Sequence, residues 1–306
     1  MFRRYAAAAV LIGLVFSTAA LNAHQGAADN FHLASVNAAV AYVDSDTLLQ
    51  DKNADRPVPI ASLTKLMMAL VVMESGEPLT EWLAVLPRHK DAPNNAYSRI
   101  RIGSELRRSD MLRIALMSSE NLAAYTLARH HPGGYNAFVA DMNKKALTLG
   151  MSNSVFVDPT GLSERNRASA SDVVKLVRAA IKHPQIGDYS TTRYFSARFR
   201  QPRYSLAYGN TNALVHRDSW GVSLSKTGYL TEAGRCLAMV SKITGKEVIT
   251  VFLDSFGSRS PMGDAGRVKR WLTTGDSGEV AGAAKRYEQT KNAQYAEGSE
   301  SMQATN

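Results

Sequence analysis

Directly after Pro57 and Pro59 the chain enters a long apolar run. Leu63, Leu66, Met67, Leu70, Val71 and Met73 recur at helical spacing, and Gly76 and Pro78 end the run. The prolines favour extended chain before it, so the spacing predicts a helix that begins near Ala61 or Ser62 and is over by about Glu74. A helix with this much apolar surface is a core element, and the rest of the chain has to be arranged around it. Ser62 and Lys65 lie at its N-terminal end. Positions three apart share a helix face, so the hydroxyl and the amine can meet there. An amine held against a serine hydroxyl is one way to make the serine a nucleophile. Yet Ser-x-x-Lys arises by chance about once in a chain of this length at average residue usage. Ser223-Leu224-Ser225-Lys226 matches it as well. The pair alone decides nothing.

With 306 residues, 45% hydrophobic and 21% charged, the chain has the composition of a globular protein of one large domain or two modest ones. Arg3 and Arg4, an apolar run over residues 5–16 and the small residues Ser17, Thr18, Ala19 and Ala20 form the pattern of a secretory signal. Residues 1–23 are expected to be this signal peptide, with cleavage after Ala20 as the alternative; the run is short for a membrane anchor. Cys236 is the sole cysteine, so no intramolecular disulfide can form, and it suits a small core position on a strand. The net charge of +9 is scattered in short clusters such as Arg107-Arg108. Export argues against nucleic acid as a partner. A solvated basic surface remains, which would also attract an anionic polymer such as a cell wall. The histidines form no spaced metal site, and neither a metal nor a cofactor is expected.

Along the chain, residues 39–43 read as a strand and 47–50 as its hairpin partner, joined by Asp44-Ser45-Asp46. A short strand at 82–85, a loop at 89–95 and a strand-like alternation at 99–102 follow the core helix. Ser109 is expected to cap a helix over 110–117. Ser118-Ser119-Glu120-Asn121 interrupts it before a second helix over 122–129. Further helices are expected at 135–149 and, capped by Ser171, up to Ile181, with Asp158-Pro159-Thr160-Gly161 as a turn between them. In the last third 204–207 is a short strand, and 222–226, 237–242 and 248–253 form consecutive antiparallel hairpins. A closing helix covers 268–272, beginning near Asp264. Strands at both ends and helices in the middle predict an α+β fold, one antiparallel sheet with flanking helices. Residues 276–306 are rich in small and polar residues and lack the apolar face of a membrane anchor. They are expected to be a polar disordered tail, at best a marginal helix.

Two further triplets change the weight of the first pair. Ser119-Glu120-Asn121 falls at a break between helices, where polar side chains can point into a cleft. Lys226-Thr227-Gly228 ends a strand, and Gly228 lets a ligand approach the backbone. Each alone has a plain reading, as a helix cap or a solvated strand end. The rival Ser223 and Lys226 cannot pair, because residues three apart on a strand face opposite sides. Chance does not readily supply all three motifs in this order, each on a suitable element. Ser62, Lys65, Ser119, Asn121, Lys226 and Thr227 resemble, in order, the shared pattern of the penicillin-recognising serine hydrolases. Four segments look more narrowly like the low-molecular-mass D-alanyl-D-alanine peptidases. These are Pro59-Ile60-Ala61-Ser62-Leu63-Thr64-Lys65-Leu66-Met67, Leu116-Met117-Ser118-Ser119-Glu120-Asn121, Asp158-Pro159-Thr160-Gly161-Leu162 and Lys226-Thr227-Gly228-Tyr229. Tyr97-Ser98-Arg99, His131-Pro132-Gly133-Gly134-Tyr135 and Ser190-Thr191-Thr192-Arg193 resemble the soluble periplasmic endopeptidases of that family. The likeness spans residues 37–272, about, and leaves out the tail.

The resemblance implies a β-lactamase/transpeptidase-like fold with a mostly helical subdomain, a serine peptidase domain over residues 24–275 and a periplasmic location. It implies Ser62 as nucleophile, Lys65 as base and Ser119 as proton relay to the leaving amine. Asn121 would hold Lys65 and the substrate amide. Lys226, Thr227 and Gly228 would receive the carboxylate beside the scissile bond, and the backbone N–H groups of Ser62 and Tyr229 would form an oxyanion hole. Acyl transfer needs these same parts. Burial and a neighbouring cation such as Lys226 would let Lys65 lose its proton near neutral pH. The implied partners are peptidoglycan peptides and β-lactam antibiotics, the latter as covalent inhibitors. The implied reaction is hydrolysis of D-alanyl–meso-diaminopimelate cross-links through an acyl-Ser62 intermediate, and a D-Ala-D-Ala carboxypeptidase is the alternative. The lack of a β-rich domain after the catalytic one favours the endopeptidase. A serine β-lactamase is disfavoured because Glu164 and Asn166 stand too close together for the water-activating glutamate arrangement of class A. A non-catalytic penicillin sensor would normally need a transmembrane connection.

Overall fold

The computed structural model describes residues 31–88 and 97–303, with side chains to residue 297. The expected signal peptide over 1–23 and the expected loop over 89–95 lie outside the described residues. Strands β1 (Ser35–Tyr42) and β2 (Leu48–Lys52) form the N-terminal hairpin. The short β3 (Val58–Pro59) leads into a 3-10 turn, Ala61–Leu63, that continues as helix α1 (Thr64–Glu74). Every residue from Thr64 to Val72 is buried. A helix without a polar face has to be enclosed by other elements, and α1 is.

The helical middle of the chain provides the enclosure. After β4 (Trp82–Ala84) and its partner β5 (Glu105–Arg107) come α2 (Arg108–Met117), α3 (Asn121–Arg129) and α4 (Gly134–Thr148). The alternation at 99–102 is not a strand; Gly103, at φ +82°, turns the chain so that pairing starts at Glu105. Nor does Ser109 cap α2. That helix begins one residue earlier, and the N–H groups of Arg108 and Ser109 donate to the Glu81 and Leu79 carbonyls at 2.8 and 2.9 Å. Backbone from the turn before β4 thus satisfies donors that a side chain was expected to satisfy. Next come β6 (Arg167–Ala168), which pairs with β3, and α5 (Ala170–Ile181), capped by Ser169 rather than Ser171. Pro184 opens a further helix, α6 (Pro184–Thr191), in keeping with the tolerance of proline in a first turn. It is followed by the hairpin β7 (Tyr194–Phe199) and β8 (Tyr204–Gly209), of which only β8 was expected.

The last third returns to the sheet with β9 (Val222–Leu230), β10 (Gly234–Ile243) and β11 (Lys246–Ser255). The five antiparallel strands lie in the order β2-β1-β11-β10-β9, so both chain ends build one sheet and β9 is an edge. Side chains alternate between faces. Ala39, Ala41, Val251 and Leu253 join the core that holds α1, while Ala38, Val40, Met239 and Phe252 pack with Ala265 and Val268 of α7 (Ser260–Thr274). Lys226-Thr227-Gly228 lies within β9 rather than ending it. No helix among the described residues is long and apolar enough to cross a membrane.

Within the stretch 276–306, expected to be a polar disordered tail or at best a marginal helix, residues 282–303 are helical. A long helix, α8 (Gly282–Gln303), docks on the sheet through polar side chains. Tyr287 and Tyr295 both donate to the carboxylate of fully buried Asp254, at 2.6 and 2.7 Å. Glu288 pairs with Lys52 at 2.9 Å, and the Arg56 guanidinium donates to Asn292 and lies over the Tyr295 ring. Composition misses such a helix because hydrogen bonds and ion pairs, not an apolar stripe, attach it. Each bond to a buried carboxylate contributes about 1.5–3 kcal/mol. Tyr287→Phe combined with Tyr295→Phe should therefore lower Tm by several degrees in thermal unfolding followed by circular dichroism. An unchanged Tm would show that α8 is not attached through Asp254.

Candidate active site

Three elements meet at Lys65. Its Nζ, wholly buried in the first turn of α1, donates to Ser62 Oγ at 3.0 Å, Asn121 Oδ1 at 2.7 Å and the Thr160 carbonyl at 2.5 Å. The serine comes from the 3-10 turn, where Ala61 takes φ +47°, and the asparagine is the first residue of α3. The carbonyl belongs to a loop wound around one carboxylate. Asp158 accepts from Thr160 N, Thr160 Oγ1, Gly161 N, Ser163 N and Asn166 Nδ2, all within 2.6–3.0 Å. This is side-chain turn chemistry carried to saturation. The loop is pressed onto the backbone before Ser62. Ile60 N donates to the Asn166 carbonyl at 3.1 Å. A Cβ on Gly161, which sits at φ +79°, would lie 2.0 Å from the Ala61 oxygen.

Burial draws the Lys65 pKa from its ordinary value down to about 7; Asp158 and Glu120 oppose the shift and Arg88 assists it. The contact set suits both forms of the amine. Charged, the amine donates to all three oxygens; on losing a proton it keeps the two carbonyl acceptors and can turn its lone pair to the Ser62 hydroxyl. Lys226 is also fully buried and is pushed well below the usual lysine range, first by burial and then by the charge of Lys65. It donates to Ser119 Oγ at 3.1 Å and to the Thr227 carbonyl at 2.8 Å.

Ser119 sits between α2 and α3 at φ +62°, a conformation uncommon for a residue with a side chain. Glu120 caps α3 by accepting from Leu122 N, which leaves Asn121 free for Lys65. Across the cleft, Thr227 Oγ1 meets Thr211 Oγ1 at 2.5 Å. Gly228 brings β9 against the turn that carries Ser62, where a Cβ would be 3.1 Å from Ser62 N. Ser62, Ser119, Asn121, Thr227, Gly228 and Tyr229 line one cavity of about 490 Å³, with Tyr229 half exposed at its lip. All eight residues singled out from the sequence thus come together, with Lys65 and Lys226 buried in the cavity's wall.

A family model described as D-alanyl-D-alanine carboxypeptidase, peptidase family S11, matches residues 23–257. The chain belongs to this family. It is 44% identical to a D-alanyl-D-alanine endopeptidase of Escherichia coli K12 over 89% of this chain and 87% of the relative. It is 45% identical to another of that name from Pseudomonas aeruginosa, over 83% and 82%. A point mutant of the Streptomyces K15 DD-transpeptidase superposes with a TM-score of 0.72 at 26% identity, covering 78% of this chain and 98% of that one. The β-lactamase/transpeptidase-like fold expected from the motifs is therefore the fold of this S11 peptidase.

Several contributors to the site were not assigned from the sequence. Asp158-Pro159-Thr160-Gly161 was legible as a turn, but its use of the Thr160 carbonyl as a ligand for Lys65 was not, since a backbone acceptor leaves no residue-type signal. Thr211 and Asn212, the latter bound to Ser225 Oγ at 2.9 Å, carry no local pattern either. The loop geometry makes a paired prediction. Gly161→Ala introduces a contact and a left-handed alanine, costing at least about 1–3 kcal/mol. Gly266→Ala, on α7 with nothing within 4 Å of its Cβ, should be neutral or stabilise by about 0.4–1 kcal/mol. Thermal unfolding of the two variants side by side checks both signs.

Proposed function

We propose that this S11 peptidase is a periplasmic serine endopeptidase that hydrolyses D-alanyl–meso-diaminopimelate cross-links of peptidoglycan through an acyl-Ser62 intermediate. Penicillin is trapped at the same serine. The observation that carries this reading is the buried Lys65 amine, 3.0 Å from Ser62 Oγ with its pKa drawn to about 7.

Neutral Lys65 takes the hydroxyl proton as Ser62 Oγ attacks the D-alanyl carbonyl. The oxyanion is received by the N–H groups of Ser62 and Tyr229. Ser119, hydrogen-bonded to Lys226, passes a proton to the leaving amine as the C–N bond breaks and takes in its place the proton held by Lys65, which is thereby neutral again. Water then attacks the ester and gives a proton to Lys65, which passes it to Ser62 Oγ as the acyl–oxygen bond breaks, so that both side chains are restored. Lys226 and Thr227 hold the carboxylate beside the scissile nitrogen. An anion at Lys226 favours that lysine's charged form, and the repulsion of this charge keeps Lys65 neutral. Substrate binding thereby sharpens the division of labour between the two lysines.

A terminal D-alanine also carries a free carboxylate, so the carboxypeptidase reading uses the same groups. The endopeptidase names of relatives at 44 and 45% identity support the cross-link as substrate. Labelled penicillin should form a stable adduct whose mass locates it on Ser62 and which Ser62→Ala abolishes; an adduct surviving that change would sink the mechanism. Digestion of purified cross-linked wall should convert dimers to monomers by mass spectrometry, and release of only terminal D-alanine would favour the carboxypeptidase. The acylation rate should rise with pH through about 7 as Lys65 loses its proton. Lys65→Arg, which cannot deprotonate, should slow acylation by about 10²–10⁴-fold.

A further inference from the structure

The cavity that holds Ser62 continues past Gly228 to Leu230, Arg235, Pro261 and Met262. The mechanism above uses none of these. Arg235 lies directly opposite Tyr229 in the β9–β10 register, and its guanidinium carbon is 3.8 Å from the centroid of the Tyr229 ring. Among the described residues no acidic side chain pairs with it. An arginine seated on an aromatic face is fixed in place yet keeps in-plane N–H donors for a carboxylate. A fixed cation in the wall of a cleft can receive an anionic group of a ligand.

Strand direction identifies the part of the substrate that reaches it. With the carboxylate of the leaving residue at Lys226 and Thr227, and the scissile carbonyl oxygen at the Tyr229 N–H, the peptide runs antiparallel to β9. Its leaving side lies at Lys226 and its acyl side toward Leu230. Two strand positions, about 7 Å, separate Thr227 from Tyr229. The residue that precedes the D-alanine therefore extends toward the Tyr229–Arg235 end. Leu230, Pro261 and Met262 there offer an apolar lining for methylenes.

We propose that Arg235, seated on Tyr229, is a specificity subsite for a carboxylate at the end of the acyl-side residue's side chain, the kind of group a diaminopimelate residue presents. The subsite rests on the endopeptidase reading given above, and it selects the donor strand of the cross-link rather than the bond to be cut. Lysine differs from diaminopimelate by this one carboxylate, which makes the two a clean pair of probes.

The test uses two soluble cross-linked peptides with the same acceptor strand, whose donor residue before D-alanine is either meso-diaminopimelate or lysine. Titration with labelled benzylpenicillin gives the concentration of competent Ser62 in each variant, so a misfolded fraction does not distort the rates. The unaltered protein should favour the diaminopimelate peptide by about tenfold in kcat/KM, as expected for one charge-assisted contact in a partly exposed site. In Arg235→Gln the ratio should fall to about one, and Arg235→Lys should keep part of it. A ratio near one in the unaltered protein, or an unchanged ratio in Arg235→Gln, overturns the subsite while leaving the endopeptidase intact. Turnover of neither peptide overturns the endopeptidase reading, and the subsite with it.

Discussion

Everything in this molecule is subordinate to keeping one amine dry. Lys65 is fully buried, and its Nζ meets two neutral carbonyls and one hydroxyl with no carboxylate in contact. A direct ion pair would hold the lysine charged; open water would do the same. The low pKa therefore depends on a helix apolar on every side, on a lid of loop above it and on an asparagine that offers oxygen without charge. Asp158 is the informative case. It is near enough to raise the Lys65 pKa, yet its oxygens are occupied by the donors of its own turn. The same residue builds the lid and is kept from neutralising what the lid protects.

Such an arrangement is costly, and the costs lie where the chemistry is. Ala61 and Ser119 both take left-handed backbone conformations, and two lysines are buried within reach of each other's charge. Strain of this kind persists only when the surroundings over-determine it. Here α1 and the Asp158 loop fix the first position from opposite sides, and the cap made by Glu120 fixes the second. The cleft is preorganised because its parts have nowhere else to go.

Much of this was legible from residue order. Periodicity located α1, the break at Ser119 and the three C-terminal strands, because each is defined by its own side chains. The motif residues stood out because the proposed roles of nucleophile, amine and carboxylate holder each call for particular residue types. What escaped was set by partners distant in sequence. Ser109 looked like a cap, but carbonyls of Leu79 and Glu81 were already there. The Thr160 carbonyl has no residue-type signature at all. The helix α8 looked like a polar tail because its anchor, Asp254, lies elsewhere in the chain and its own apolar surface is small. Local patterns report local causes, and these causes were not local.

The sheet assembled from both chain ends has a consequence in time as well as in space. In the sheet β1 pairs only with β2 and β11, and the strand carrying Lys226 is reached only after the whole helical middle has been synthesised. A growing chain thus carries its serine and its amine for most of its length without the strand that would orient a substrate. Long-range pairing of this kind is slow to form. On the proposed mechanism cleavage waits for these last strands, because Lys226 and Thr227 lie on β9.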